Sequence, residues 1–186
     1  MTNIWKDLQE IYIYLDGYKI DCVIIMKNKK IYYDIYSEFY CVNKYRELKS
    51  MVHHGNNRLD HINRVAKLSF SLSKKLKLDF VSCTRGALLH DFFTTDDLTR
   101  DGKYKKFLSE HPKIALENST KYFELNDIEK DVILTHMYPV IKGKPKYMES
   151  KVVCIVDKLV SLYEFFRYQV NVSAYMFAIF IGRMIN

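Results

Sequence analysis

The chain is poor in the features that mark stapled, secreted or membrane-spanning proteins. Its 186 residues hold four cysteines, Cys22, Cys41, Cys83 and Cys154, and no two of them form a Cys-x-x-Cys pair. That excludes thiolate zinc motifs and a dense disulfide framework, and free thiols in a reducing cytosol are expected. No apolar run is long enough to cross a bilayer. The most apolar stretch, Val170–Gly182, is short and carries Asn171, whereas a spanning helix needs about 20 residues. The opening Met1-Thr-Asn-Ile-Trp-Lys-Asp7 has an early acid and no small-residue cleavage site, so it does not read as a secretory signal. Internal repeats, low-complexity segments and linkers are missing too. No basic region is interleaved with aromatics at a spacing that argues for nucleic acid. The expectation is a cytoplasmic protein with neither a membrane nor a nucleic acid as partner. Nothing in the sequence fixes its oligomeric state.

Acids are the minority charge: 22 against 29 lysines and arginines, a formal net charge of +7. Apolar residues make up 48% of the chain, enough at this length for one domain with a core that needs no staples. The basic excess lies in Lys74-Lys75-Lys77, in Arg100, Lys103, Lys105 and Lys106, and in Lys142, Lys144 and Lys146. The first group reads as the solvated face of a helix. The other two lie in expected loops, and a basic balance suits an anionic partner such as a phosphate ester or nucleotide.

The pattern of apolar residues is helical through most of the chain. Ile11–Leu15, Asp16-Gly17 and Tyr18–Met26 read as a hairpin around a tight Asp-Gly turn, with helix as the alternative. Residues 1–32 are therefore treated as an N-terminal extension and 33–186 as an all-α domain. Ile35, Phe39, Val42, Tyr45 and Leu48 share one face of a helix over Asp34–Met51. Asp60 is a candidate N-cap for a helix to about Lys77. A third helix covers roughly Phe80–His90, where Gly86 and Ala87 permit close packing. Phe92–Glu110 reads as a long loop, a common seat of function. His111-Pro112 is expected to open the next helix, because proline is tolerated in a first turn. Asn126 caps another that ends near Met137, before Pro139. Two apolar helices, about Met148–Arg167 and Val172–Ile185, complete the bundle.

Six residues on these helices have metal-ligand chemistry: His61, His90, Asp91, His111, His136 and Asp157, which include four of the six histidines. Each falls at a helix end or on an apolar helix face. Imidazole and carboxylate suit one or two divalent ions, and without thiolate the set points to Fe, Mn, Co or Zn. A lone histidine is more often a satisfied core residue than a ligand, so it is the joint pattern that counts. Asp157 lies within Val152–Val156 and Leu159-Val160, where a carboxylate is costly unless paired or bound to metal.

The stretch His61-Ile-Asn-Arg-Val65, then Gly86-Ala-Leu-Leu-His-Asp91, then Ile155-Val-Asp157-Lys158 resembles the HD-domain superfamily of metal-dependent phosphohydrolases. The resemblance covers about residues 50–168. It implies an all-α HD-domain bundle in which His61, His90, Asp91 and Asp157 ligate metal. Two further histidines between the HD pair and the last aspartate, here His111 and His136, resemble the dinuclear branch. That branch includes dinucleoside-polyphosphate hydrolases, cyclic-dinucleotide phosphodiesterases and di-iron oxygenases similar to myo-inositol oxygenase. In such a site Asp91 would bridge two ions, with iron the metal that the resemblance implies. The competing form is a single ion with His111 and His136 facing substrate.

The chain also departs from the family. Phe92-Phe93-Thr94-Thr95-Asp96 lacks the lysine that many members carry after the HD pair, and the Gly-Tyr-Pro element of the cyclic-di-GMP branch is missing. The expected activity is hydrolysis of a nucleotide or other small phosphate ester by metal-activated water. Asp91 would act at the metal, and Asp96 (or Asp97) as acid or base unless these are loop caps. Arg58 is the first candidate to grip phosphate oxygens, followed by His54 and Lys158. A di-iron oxygenase and a non-catalytic nucleotide sensor are the alternatives.

Overall fold

The computed structural model describes the backbone of residues 12–15, 18–53, 56–94, 97 and 104–185, and the side chains of 27–51, 57–94, 97 and 110–173. His54 and Asp96 lie outside the described residues. The chain opens with an antiparallel ribbon, β1 (Tyr12–Leu15) and β2 (Tyr18–Asp21), in which Leu15 pairs with Tyr18. That is the expected hairpin register, although Asp16 and Gly17 are themselves outside the described residues.

α1 (Cys22–Tyr40) follows at once. It starts earlier and stops sooner than the apolar spacing suggested. The continuation to residue 50 is a single turn, α2 (Asn43–Arg46), and a 3-10 turn, Glu47–Ser50. The break is at Val42, whose extended backbone ends the helical path. α1 runs through the expected boundary at residues 32 and 33, and Tyr32 and Phe39 on it join the core. A second short ribbon, β3 (Val52–His53) with β4 (Asn56–Asn57), leads into α3 (Arg58–Lys75).

α3 is capped by Asn57, one turn ahead of Asp60. The Asn57 side chain accepts from the Asp60 main-chain N–H at 2.8 Å and donates to its carboxylate at 2.7 Å. α4 (Phe80–Leu89) begins at Asp79, whose carboxylate accepts from Ser82 N–H. It lies against α1, α3, α6 (Asp127–Thr135) and α7 (Met148–Ile185) at the centre of the fold. Close contact with α6 requires Gly86, since a Cβ there would lie 2.7 Å from Val132 Cβ. α6 has the expected Asn126 cap as a full capping box with Glu129. Arg85 ties these layers together by pairing with Glu129 of α6 and Glu38 of α1.

Two further helices depart from expectation. α5 (Tyr104–Tyr122) begins well before His111, with Pro112 in its interior. An interior proline forfeits one main-chain hydrogen bond and costs about 3 kcal/mol. Burial of His111, Ala115, Asn118 and Ser119 along the same helix opposes that cost. α7 is one continuous helix, Met148–Ile185, rather than two. Tyr168–Asn171 contains neither glycine nor proline, and Asn171 alone is too weak a breaker to stop a long apolar helix. Val152, Val153, Val156 and Val160 of α7 enter the core with Ile62 and Val65 of α3 and Leu88 of α4. All helices lie in a single bundle, and among the described residues the fold is all-α apart from the two ribbons.

Candidate metal centre

The six candidate ligands come from five helices and meet in one buried cluster. His61 is in the first turn of α3, His90 closes α4 with Asp91 next to it, His111 is in α5, His136 closes α6, and Asp157 is midway along α7. All six are buried, none more than 6% exposed.

Local structure aims the rings. His90 Nδ1 donates to Ala87 O at 2.7 Å, and His136 Nδ1 donates to Ile133 O at 2.8 Å. Both bonds use carbonyls left unpaired at a helix C-terminus. Each fixes the tautomer and turns Nε2 inward. His90 Nε2 then lies 3.7 Å from Asp157 Oδ1 and 3.8 Å from Asp91 Oδ2. The other oxygen of Asp91, Oδ1, lies 3.5 Å from His111 Nε2 and 3.6 Å from His136 Nε2. Asp91 therefore faces His90 with one oxygen and the His111/His136 pair with the other. His61 Nε2 completes the group at 3.1 Å from Asp157 Oδ1.

The charges are strongly coupled. Burial alone would lower the pKa of His61, but its hydrogen bonds to Asp157 and Glu164, with the charge of Asp91, raise it to about 10. His90 is raised in the same way, Asp91 and Asp157 outweighing burial. His136 moves in the opposite direction: burial, with the charges of His90 and His111 beside it, lowers it to about 3 despite the acids. It is therefore neutral at any ordinary pH. With its Nδ1 proton committed to Ile133, His136 Nε2 accepts from His111 Nε2, 3.0 Å away. Burial would raise Asp157, yet the bond from His61 and the nearness of His90 hold it well below the usual carboxylate range.

These groups fit a divalent cation. Ligands on an ion with bonds of about 2.1 Å stand roughly 3–3.5 Å apart, close to the separations between donors here. Two overlapping sets, His61/His90/Asp157 and His90/Asp91/His136, each have donor atoms near enough to share one ion. Among the described residues three buried side-chain polar atoms lack a hydrogen-bond partner, and two of them, His90 Nε2 and Arg58 Nε, lie here. A buried ring nitrogen without a partner is costly, and ligation of a cation by His90 Nε2, once its proton has left, would relieve it.

Arg58 is buried at the start of α3. Its Nη1 donates to Phe93 O at 2.7 Å, and its guanidinium lies 3.8 Å from the centre of the Phe93 ring. Burial lowers its pKa, with the Asp91 charge opposing. Phe93 in turn packs on His111, with ring centres 5.4 Å apart. Lys158, the other expected phosphate contact, lies at the end of α6. Its ammonium donates to His136 O at 2.9 Å and Cys154 O at 3.1 Å, so it closes the end of α6. Asp97 is a loop cap: it accepts from the main-chain and side-chain groups of Thr94 and from Asn118 Nδ2.

Two residues at the cluster escaped the sequence reading. Glu164 is fully buried, and its Oε2 accepts from His61 Nδ1 at 3.0 Å. Arg64, one turn after His61, donates to Glu164 Oε1 at 2.6 Å. The signal that marked Asp157 was present here too. Glu164 is an acid in an apolar setting, Leu162-Tyr-Glu-Phe-Phe166, two helical turns beyond Asp157.

Comparison with family models matches residues 58–162 to the family described as HD domain. Searches of curated proteins and of solved structures gave no match.

Proposed function

From the membership of this chain in the HD domain family, a superfamily of metal-dependent hydrolases, we propose that it is a phosphohydrolase acting on a nucleotide or another small phosphate ester. The observation that carries the reading is the pairing of a buried His/Asp cluster with Arg58, a buried guanidinium whose Nε has no hydrogen-bond partner among the described residues. His61, His90, Asp91, His111, His136 and Asp157 would hold the metal. Divalent metal in such a site acidifies bound water and neutralises charge on phosphate oxygens. The two faces of Asp91 support a dinuclear form with this carboxylate between the ions.

The protein's own residues supply the rest. Arg58 offers Nε to a phosphate oxygen, while Phe93 O and the Phe93 ring hold the guanidinium plane in place. The backbone bonds of His90 and His136 keep both Nε2 atoms pointed inward without rearrangement. Lys158, bound to His136 O, stiffens the helix end that carries that histidine. Asp96 remains the proposed proton-transfer residue, and His54 a second contact to substrate. The test is a screen of metal-loaded protein against phosphomonoesters, nucleotides and dinucleoside polyphosphates. Release of phosphate or nucleotide is expected, and full metal occupancy with no turnover of any phosphate would sink the proposal. The dinuclear arrangement also suits a di-iron oxygenase, which oxygen uptake with candidate diols would reveal.

A further inference from the structure

Glu164 lies beyond the residues matched by the family, 58–162, yet it is as deeply buried as any residue of the cluster. A carboxylate out of water is costly unless every oxygen is engaged. Here both are: Oε2 takes the bond from His61 Nδ1 at 3.0 Å, and Oε1 takes the bond from Arg64 Nη1 at 2.6 Å. Arg64 is partly exposed and reaches in from α3, the same helix as His61. The imidazole of His61 is thus bracketed by two acids of α7, Asp157 at Nε2 and Glu164 at Nδ1. Asp157 and Glu164 are seven residues apart, two turns of α7, so both carboxylates lie on the one helix face that meets His61.

We propose that Glu164, held in place by Arg64, is a positioning residue that fixes the His61 ring and reserves its Nε2 for the metal. This rests on the reading of His61 as a ligand. The chemistry is that of a histidine whose second nitrogen donates to a fixed acceptor, which sets the tautomer and orients the ring. Arg64 engages the far oxygen of Glu164 and so keeps the near oxygen pointed at Nδ1. α7 enforces the arrangement, because one helix carries both acids at a set separation.

The test uses the metal-free full chain, titrated with Co2+ and followed by visible absorption, with helix content checked by circular dichroism. Four proteins are compared: wild type, His61→Ala, Glu164→Gln and Glu164→Met. The last two match glutamate in size, but only glutamine keeps an acceptor for Nδ1–H. Glu164→Met is expected to weaken Co2+ binding about 10–100-fold and shift the absorption bands, while Glu164→Gln stays within a few-fold of wild type. Equal affinities and spectra for the glutamine and methionine variants, whether both unchanged or both weakened, would overturn the positioning role. His61→Ala separates the two levels: unchanged Co2+ binding there removes His61 from the ligand set, and the role of Glu164 falls with it. Arg64→Ala provides a second route if Glu164→Met does not fold. It should weaken Co2+ binding in the same direction, and unchanged affinity would again count against the proposal.

Discussion

Raising the pH from 6.5 to 8.5 should strengthen binding of Co2+ to the metal-free protein by at least about 100-fold. Bracketed by Asp157 and Glu164, His61 keeps a proton on each nitrogen up to about pH 10. A metal can take Nε2 only when that proton leaves. Below pH 10 the unprotonated form becomes tenfold more abundant with each pH unit, so apparent affinity follows at about one decade per unit. His90, raised in the same direction, steepens the dependence. His136, lowered to about 3, adds nothing, since it is neutral throughout this range. Stability of the metal-free protein runs the other way. A folded-state pKa above the ordinary histidine value of about 6.5 gives a contribution fully present below 6.5. That contribution is lost as pH rises through about 10. Alkaline pH therefore weakens the empty fold and favours the loaded one. Calorimetry in two buffers of different ionisation enthalpy counts the protons released, and a chelator competition gives the affinity. An affinity that changes less than threefold over the two units, with no proton released, would refute the placement of His61 in the ligand set.

Other perturbations test other parts of the structure. Asp91→Ala or His90→Ala should remove most of the bound metal and abolish hydrolysis while circular dichroism still shows a helical protein; normal metal content in either variant would contradict the cluster. Gly86→Ala should cost about 1–3 kcal/mol, read as a drop of several degrees in Tm, because the new methyl meets Val132 at 2.7 Å. Arg58→Lys should lower kcat/KM for a phosphate substrate by roughly 10–100-fold with metal content unchanged, since lysine keeps the charge but loses the planar fork.

The helical pattern was legible because spacing along the chain is a local property. Asn126 marks the start of α6 whatever packs against it; on α3 the spacing is less faithful, for Val65 is buried while Leu68, Leu72 and Leu76 at the same helical interval are exposed. Gly86 was legible as a close-packing site for a similar reason: a missing side chain in a helix interior needs a neighbour that comes near. The end of α1 and the start of α5 were not legible. Apolar spacing carries across Cys41-Val42 although the backbone does not, and Pro112 suggests a helix start although α5 is already under way. Propensity is a weak bias that packing overrides, and His111 is carried into the core by a helix that also contains the proline.

The sequence by itself determined the all-α class and the six ligand candidates, because residue type, order and helical period are written in the chain and need no partner to be read. Only the tertiary structure decided that Asp91 faces His90 with one oxygen and two other imidazoles with the second. It likewise decided that Arg58 is buried beside the cluster, that Lys158 binds carbonyls and that Glu164 grips His61. These relations join residues far apart in the chain. They exist only once α7 packs on α3, when burial removes water as a partner and leaves each polar group to the neighbours that the fold supplies.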